Sequence, residues 1–471
     1  MSQLGDSYLT LPNFFYQITK PNIFSKSKIF ILNKLLLEDI YPFINESDLK
    51  NILTEEHKKK KYFSQAYAGH QFGHFTNLGD GRAIIIGEYF LKTNQRIDIQ
   101  LKGCGTTKYS RGGDGKATLK SMLKEYIISE AIHYLKISSS RSLAIIKTGE
   151  NINRENLNEG AVLARMMNSH IRIGTFEYAA FFGNKNYLSL LTKYTVKRLY
   201  PELISSNNIA LDLLKTVMIK QIDLVTNWLR VGFIHGVMNT DNTSISAETF
   251  DYGPCAFMNN YNPNTTYSSI DYYQRYSYGN QCKIVKWNLS RFAETLLPLI
   301  DENKQKAIKL AQNVIDQFDD IWNKKFYSMM LQKIGIKKAN QKSYQLIDNL
   351  LNIMLKNNLD FTNTFYKLTY SDNTINKSPK SDFDIWKNEW KKFTDHCSSN
   401  KKIMKDNNPI IIPRNQIVEK VIEETINGNK TLFKKLLKYI SKPYLYQKNI
   451  KEFMQPPSEE FENCYKTYCG T

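Results

Sequence analysis

Apolar residues along this chain keep two different periods, and the change of period marks its elements. AIIIGEYF (83–90) is a short, nearly continuous apolar run. RIDIQLKG (96–103) alternates instead, with Ile97, Ile99 and Leu101 on one face and Gln100 and Lys102 on the other. These two runs predict strands joined by a turn through Thr93 and Asn94. TLKSMLKEYIISEAIHYL has helical spacing: Leu119, Met122, Leu123, Tyr126, Ile127 and Ala131 form a stripe, with Glu125 beside it. RSLAIIKTG reads as a further strand. LDLLKTVMIKQIDLVTNWLRVG places Leu214, Val217, Met218, Ile222, Val225 and Leu229 on one face of a long helix that runs into a loop opening at His235. IFILNKLLLEDI near the start reads as helical, and NQIVEKVIEETINGNKTLFKKLLKYI near the end as amphipathic helix. No internal repeat of useful length is present.

Texture divides the chain into three zones. Residues 1–155 are glycine- and strand-rich, 156–335 are mostly helical, and 336–471 form a Lys/Asn-rich helical extension ending in a cysteine-containing tail. A hydrophobic content of 42% with 13% aromatic residues in 471 residues predicts a folded protein with a large core. No run approaches the roughly 18 apolar residues of a membrane span. The start lacks the order of a secretory or organelle signal, so a cytoplasmic address is expected. The net charge of +19 would suit a polyanion, but it comes with abundant Asn, Ile and Tyr and no long basic run, so nucleic acid is not expected as a partner. Cys104, Cys255, Cys282, Cys397, Cys464 and Cys469 include no Cys-x-x-Cys pair, which excludes an ordinary zinc ribbon. His70 and His74 in GHQFGH lie four apart, but glycines interrupt the stretch and no third zinc ligand is evident.

The order of parts changes the picture more than the composition does. A glycine loop, LGDGRA, precedes two strands; Lys102 sits on the second and Glu125 on the next helix, and a long helix then feeds HGVMNTDN. Kinase-like enzymes place a proton-accepting Asp two residues after the His of this loop and a metal-binding Asn five residues later. Here His235 and Asn242 keep that spacing, but the base position is Val237, which cannot accept a proton. Asp251-Tyr-Gly stands where kinases have Asp-Phe-Gly, and Asn242 with Asp251 offers the hard oxygen ligands that magnesium favours. ATP needs free backbone N–H groups, fixed cations and a divalent metal, and the parts supply all three. The expectation is an α+β, bilobal protein kinase-like fold with a mostly helical C-terminal lobe and a helical extension.

YAGHQFG, LGDGRA, DIQLKG, YSRGGDG, SHIRIGTFEY, GFIHGVMNTDN, DYGP and KWNL together resemble the selenoprotein O family, from DSYLTLPNFFY through NPIIIPRN. The resemblance implies a protein adenylyltransferase of kinase fold. Such an enzyme binds ATP in a flipped orientation and transfers AMP to Ser, Thr or Tyr of protein substrates, releasing pyrophosphate; uridylyl transfer is a variant of the same chemistry. It implies ATP contacts at Gly79, Gly81, Arg82, Lys102, Asp114, Gly115, Arg165, Arg172 and Asp251. Magnesium, or manganese in its place, would be held by Asn242 and Asp251, and Asp241 would accept the proton. Arg165 and Arg172, seven apart, are expected on one helical face, gripping the inner phosphates. The implied early start leaves no room for a cleaved leader. Two departures stand out: Gly112 and Lys116 replace arginines of the family loop, and the tail ends Cys469-Gly-Thr. A redox link from that tail to the metal loop would have Cys255 and Cys282 as its nearest candidates. A conventional kinase and a catalytically silent nucleotide-binding scaffold stay open as other readings of the same residues.

Overall fold

The computed structural model describes residues 6–40, 44–54, 61–154, 156–371, 381–394 and 398–467; Cys397 and Cys469 lie outside them. Seven strands form one antiparallel sheet: β1 (Tyr16–Ile18), β2 (Lys28–Leu32), β3 (Phe63–Gln65), β6 (Ala83–Phe90), β7 (Arg96–Lys102), β8 (Arg141–Asn153) and β9 (Leu157–Met167). Their order is β1-β3-β6-β7-β9-β8-β2. Between them β4 (Ala68–Gln71) and β5 (His74–Asn77) make a separate hairpin. The alternation in β7 has its expected consequence. Ile97, Ile99 and Leu101 join a core with Leu49, Ile52 and Leu53 of α2 (Glu46–Thr54). Asp98, Gln100 and Lys102 point to the other face, where all three are buried and partnered.

Two of the segments differ from the sequence reading. IFILNKLLLEDI is not one helix: its first half is β2, paired with β8 at the sheet edge, and α1 (Lys34–Ile40) starts only after Asn33. The β-branched and aromatic residues find cross-strand partners, and the Asn33 side chain accepts the Leu36 N–H at 3.3 Å, a local helix start. The sheet also continues past residue 155 to Met167, because β9 lies between β7 and β8.

On the polar face of the sheet lies α3 (Leu119–Tyr134), N-capped by Thr118 and carrying Glu125. The helical part follows: α4 (Ile173–Phe182), α5 (Lys185–Leu199), the long α6 (Ile209–Val231) and α7 (Gln281–Ile300). Gly232 closes α6 in the left-handed conformation at φ 75°, which turns the chain into the short antiparallel pair β10 (Phe233–Ile234) and β11 (Ala256–Phe257). Between those two strands lies the HGVMNTDN loop with Asp251 behind it. Helices α8 (Lys304–Ile315) to α13 (Ser398–Asn407) extend this part, and α14 (Asn415–Ile426) and α15 (Thr431–Ile440) turn back onto α3. Phe433 of α15 lies with its ring 5.9 Å from that of Tyr126 in α3, and Glu419 of α14 meets Lys120 at 3.2 Å. The arrangement is α+β and kinase-like: a sheet with α2 on one face and α3 on the other, set over a helical lobe. Among the described residues, no helix is long and apolar enough to cross a membrane.

Arg198 of α5 ties the helical part to the sheet. Its guanidinium meets Glu88 of β6 and Asp98 of β7 at 2.7 Å each, all buried. Replacing it by Met would remove the arginine from two buried carboxylates, leaving Asp98 only His170, and Glu88 only Arg96, as an ion-pair partner. Urea unfolding of Arg198→Met is expected to show a loss of about 3–5 kcal/mol, the usual result of breaking a buried pair on one side. A midpoint equal to that of the parent protein would show that the cluster contributes nothing.

Candidate active site

A cavity of about 830 Å³ opens between the sheet and the helical lobe. Every residue for which the resemblance implies a ligand contact or a proton-accepting role lines it: Gly79, Gly81, Arg82, Lys102, Asp114, Gly115, Arg165, Arg172, Asp241, Asn242 and Asp251. The glycine loop is shaped by contact as well as by conformation. Gly79 has φ 127°, and a Cβ there would lie 2.4 Å from the Tyr109 ring.

The inner wall is a ring of four charges. Lys102 Nζ donates to Glu125 Oε2 and to Asp251 Oδ1, both at 2.7 Å. Arg165 Nη1 donates to the same two carboxylates, to Glu125 Oε1 at 3.0 Å and to Asp251 Oδ1 at 2.6 Å. Gln100 Oε1 accepts from Arg165 Nε at 2.9 Å and from Nη2 at 2.6 Å, which fixes the guanidinium plane. Burial disfavours the Asp251 charge, but Arg165, Lys102 and Arg172 outweigh it and hold the carboxyl well below the usual range.

Arg165 and Arg172 do not share a helical face. Arg165 is on β9, and Arg172 is the N-cap residue of α4, with an irregular stretch between them. The pleat of β9 aims Arg165 inward, and the turn before α4 brings Arg172 beside it. Arg172 is buried against the faces of Tyr67 (4.0 Å) and Phe250 (5.0 Å), and its Nη1 donates to the Asp241 carbonyl at 3.2 Å. Its Nη2 has no hydrogen-bond partner and lies 3.5 Å from Asp80. This cation therefore has a donor in reserve.

Opposite stands the HGVMNTDN loop. Val237 presents an apolar wall, and His235 is structural, its Nε2 3.0 Å from the Phe250 carbonyl. Asp241 is 6% exposed; its Oδ1 has no partner, and Oδ2 has only Gln71 Nε2 at 3.5 Å. Burial, opposed by Arg172, pushes this carboxyl up to about 6. Asn242 donates Nδ2 to the Val237 carbonyl at 3.0 Å, so its oxygen is the atom left to coordinate.

Oxygen donors suited to a hard divalent cation thus line the cavity from both sides: the Asn242 carbonyl of the loop, and the Asp251 carboxylate, whose ion pairs with Lys102 and Arg165 both go to Oδ1. Among the described residues no three His, Cys, Asp or Glu side chains cluster as a metal site. A cation here would complete its shell with phosphate oxygens and water, the habit of magnesium.

At the rim the outcome is different for Asp114. Arg154 clamps its carboxylate through two bonds, at 2.8 and 3.0 Å, so it faces the cavity as half of an ion pair. Arg154 itself, together with Tyr67, Asp80 and Gln100, belongs to the site and escaped the sequence reading. Arg154 sits alone in a polar hairpin turn with no local motif around it. Gln100 carried a signal, since it shares the polar face of β7 with Lys102.

The family model described as Protein adenylyltransferase SelO matches residues 3–441. The chain is 47% identical over 478 residues to Protein nucleotidyltransferase YdiU of Pelagibacter ubique, covering 99% of this chain and 98% of the relative. It is 44% identical over 480 residues to the protein of the same name from Clostridium perfringens, covering 99% and 97%. A Toxoplasma gondii rhoptry antigen kinase domain overlays on 62% of this chain and 88% of that one, at 10% identity and a TM-score of 0.23; an overlay that loose adds nothing to the sheet order and ion pairs already described. Identity of this level along nearly the full length has one consequence: the chain belongs to the SelO family and is a protein nucleotidyltransferase.

Proposed function

We propose that this protein transfers AMP from ATP to Ser, Thr or Tyr hydroxyls of protein substrates and releases pyrophosphate, with the triphosphate end of ATP innermost. One observation supports this reading above the rest: the kinase base position is Val237, while the adjacent Asp241 is a buried carboxylate with one oxygen free. A γ-phosphoryl transfer would need its proton acceptor where Val237 stands. Arg165 and Arg172, the buried cations, would bind the β- and γ-phosphates. The α-phosphorus would then face the HGVMNTDN loop.

The acceptor oxygen attacks that phosphorus as the bond to the β-phosphate oxygen breaks, and its proton passes to Asp241. Asn242 and Asp251 would hold magnesium, or manganese, which would neutralise charge on the phosphate oxygens. Lys102 and Arg165 keep Asp251 ionised and oriented, and Gly79 and Gly81 let the loop backbone approach the nucleotide.

Two measurements test this. The protein mixed with ATP labelled at the α- or the γ-phosphate should become labelled from the α-position only, with a mass gain of one AMP; label from the γ-position alone would overturn the proposal, and an α-labelled UTP arm separates uridylyl transfer. In the second, Asp241→Asn should lower turnover by roughly 10²- to 10⁴-fold, the range of general-base help, and leave ATP affinity intact. Asp251→Ala should remove transfer together with metal-dependent ATP binding. A collapse of ATP binding in Asp241→Asn would assign Asp241 to the metal instead.

A further inference from the structure

Asp241 rests on a platform that the proposed chemistry does not use. Gly69 of β4 packs so closely against it that a Cβ there would lie 2.5 Å from Asp241 Oδ1. Beside it, the Thr240 hydroxyl accepts the His70 backbone N–H at 2.7 Å and donates to Glu177 Oε2 of α4 at 2.5 Å. The other Glu177 oxygen meets His70 Nδ1 at 2.6 Å. The hairpin continues the grip, since the Phe72 N–H donates to Asn239 Oδ1 at 3.1 Å. His70, Glu177 and Thr240 do not line the catalytic cavity. The far side of His70 and Glu177 borders a different cavity, of about 380 Å³, with Phe181, Lys185 and Arg291 in its wall.

We infer that Glu177 is a positioning residue: by holding the Thr240 hydroxyl and His70 at once, it locks β4 to α4 and sets the 3-10 turn Thr240–Asn242, and with it Asp241, against the α-phosphate. A buried carboxylate with a partner on each oxygen is a rigid joint, and it lies one residue from the group that needs a fixed direction. A carboxyl buried at this depth is bonded to a hydroxyl and to an imidazole that is a cation only when protonated, and no Lys or Arg among the described residues is bonded to it. Packing alone would be served by an apolar residue of the same size. The inference rests on the proposed role of Asp241, and its test has an arm that does not.

Thr240→Val keeps the shape and removes both hydrogen bonds, whereas Thr240→Ser keeps them. Glu177→Met removes the acceptor. Thr240→Val and Glu177→Met should each lower the rate of AMP transfer by roughly 10- to 100-fold, as small misplacements of a reacting group do, at unchanged KM for ATP. Thr240→Ser should restore the rate. The double variant should be no slower than the slower single one, because both break one joint. Hydrogen exchange, read without any reaction, should speed up at the amides of Asn242 and Thr243 in Thr240→Val and Glu177→Met and not in Thr240→Ser. Unchanged exchange there, additive losses in the double variant, or a raised KM for ATP at full kcat would overturn the inference. Full turnover in Asp241→Asn would instead refute the proposed function, and the exchange result would still decide the positioning.

Discussion

Four charges share one buried point, and the rest of the molecule is arranged so that they can. Lys102, Glu125, Arg165 and Asp251 arrive from β7, α3, β9 and the segment before β11. Each alone would be too costly to bury; together they sum to zero, and every one has two or more partners. The balance also has a chemical meaning. A neutral ring carries no net charge toward the cavity, so the further cations of the cavity stand outside it. Arg172, Arg82 and Lys116 line the cavity beyond the ring.

The two walls of the cavity differ in kind. The sheet side is ionic, with Lys102, Glu125, Arg165 and Gln100 all engaged in hydrogen bonds. The loop side is under-satisfied: Asp241 Oδ1 has no partner, and Asn242 has its amide nitrogen fixed but its oxygen unengaged. Saturated groups hold geometry, and unsatisfied ones are where chemistry can take place.

Much of this was legible in the chain. The alternation of β7 told which way Lys102 points, and the stripe of α3 placed Glu125 beside the core; that the two meet depends on how α3 packs on the sheet, which local period does not state. The spacing of HGVMNTDN and Asp251 gave the loop. What stayed hidden was non-local. Arg165 and Arg172 were expected on a helix because seven residues fit two turns, yet a strand end and a helix cap bring them together. Only the placing of β9 between β7 and β8, which no local pattern states, makes that possible. Arg154 reaches Asp114 from a hairpin turn 40 residues away in sequence. IFIL was read as helix because an edge strand is decided by its partner, and β8 lies more than a hundred residues further on.

Helix α3 is enclosed on every side that matters. One face lies on the sheet, and α14 and α15 cover another through Phe433 against Tyr126 and Glu419 against Lys120. In a two-lobed fold of this kind, the helix bearing the glutamate is the part that could swing outward and separate it from the lysine. Here the last third of the chain acts as a splint on that helix. The Lys102–Glu125 pair is consequently a property of the whole polypeptide: α14 and α15, which belong to the same hydrophobic core as α3, pack on the helix that carries Glu125.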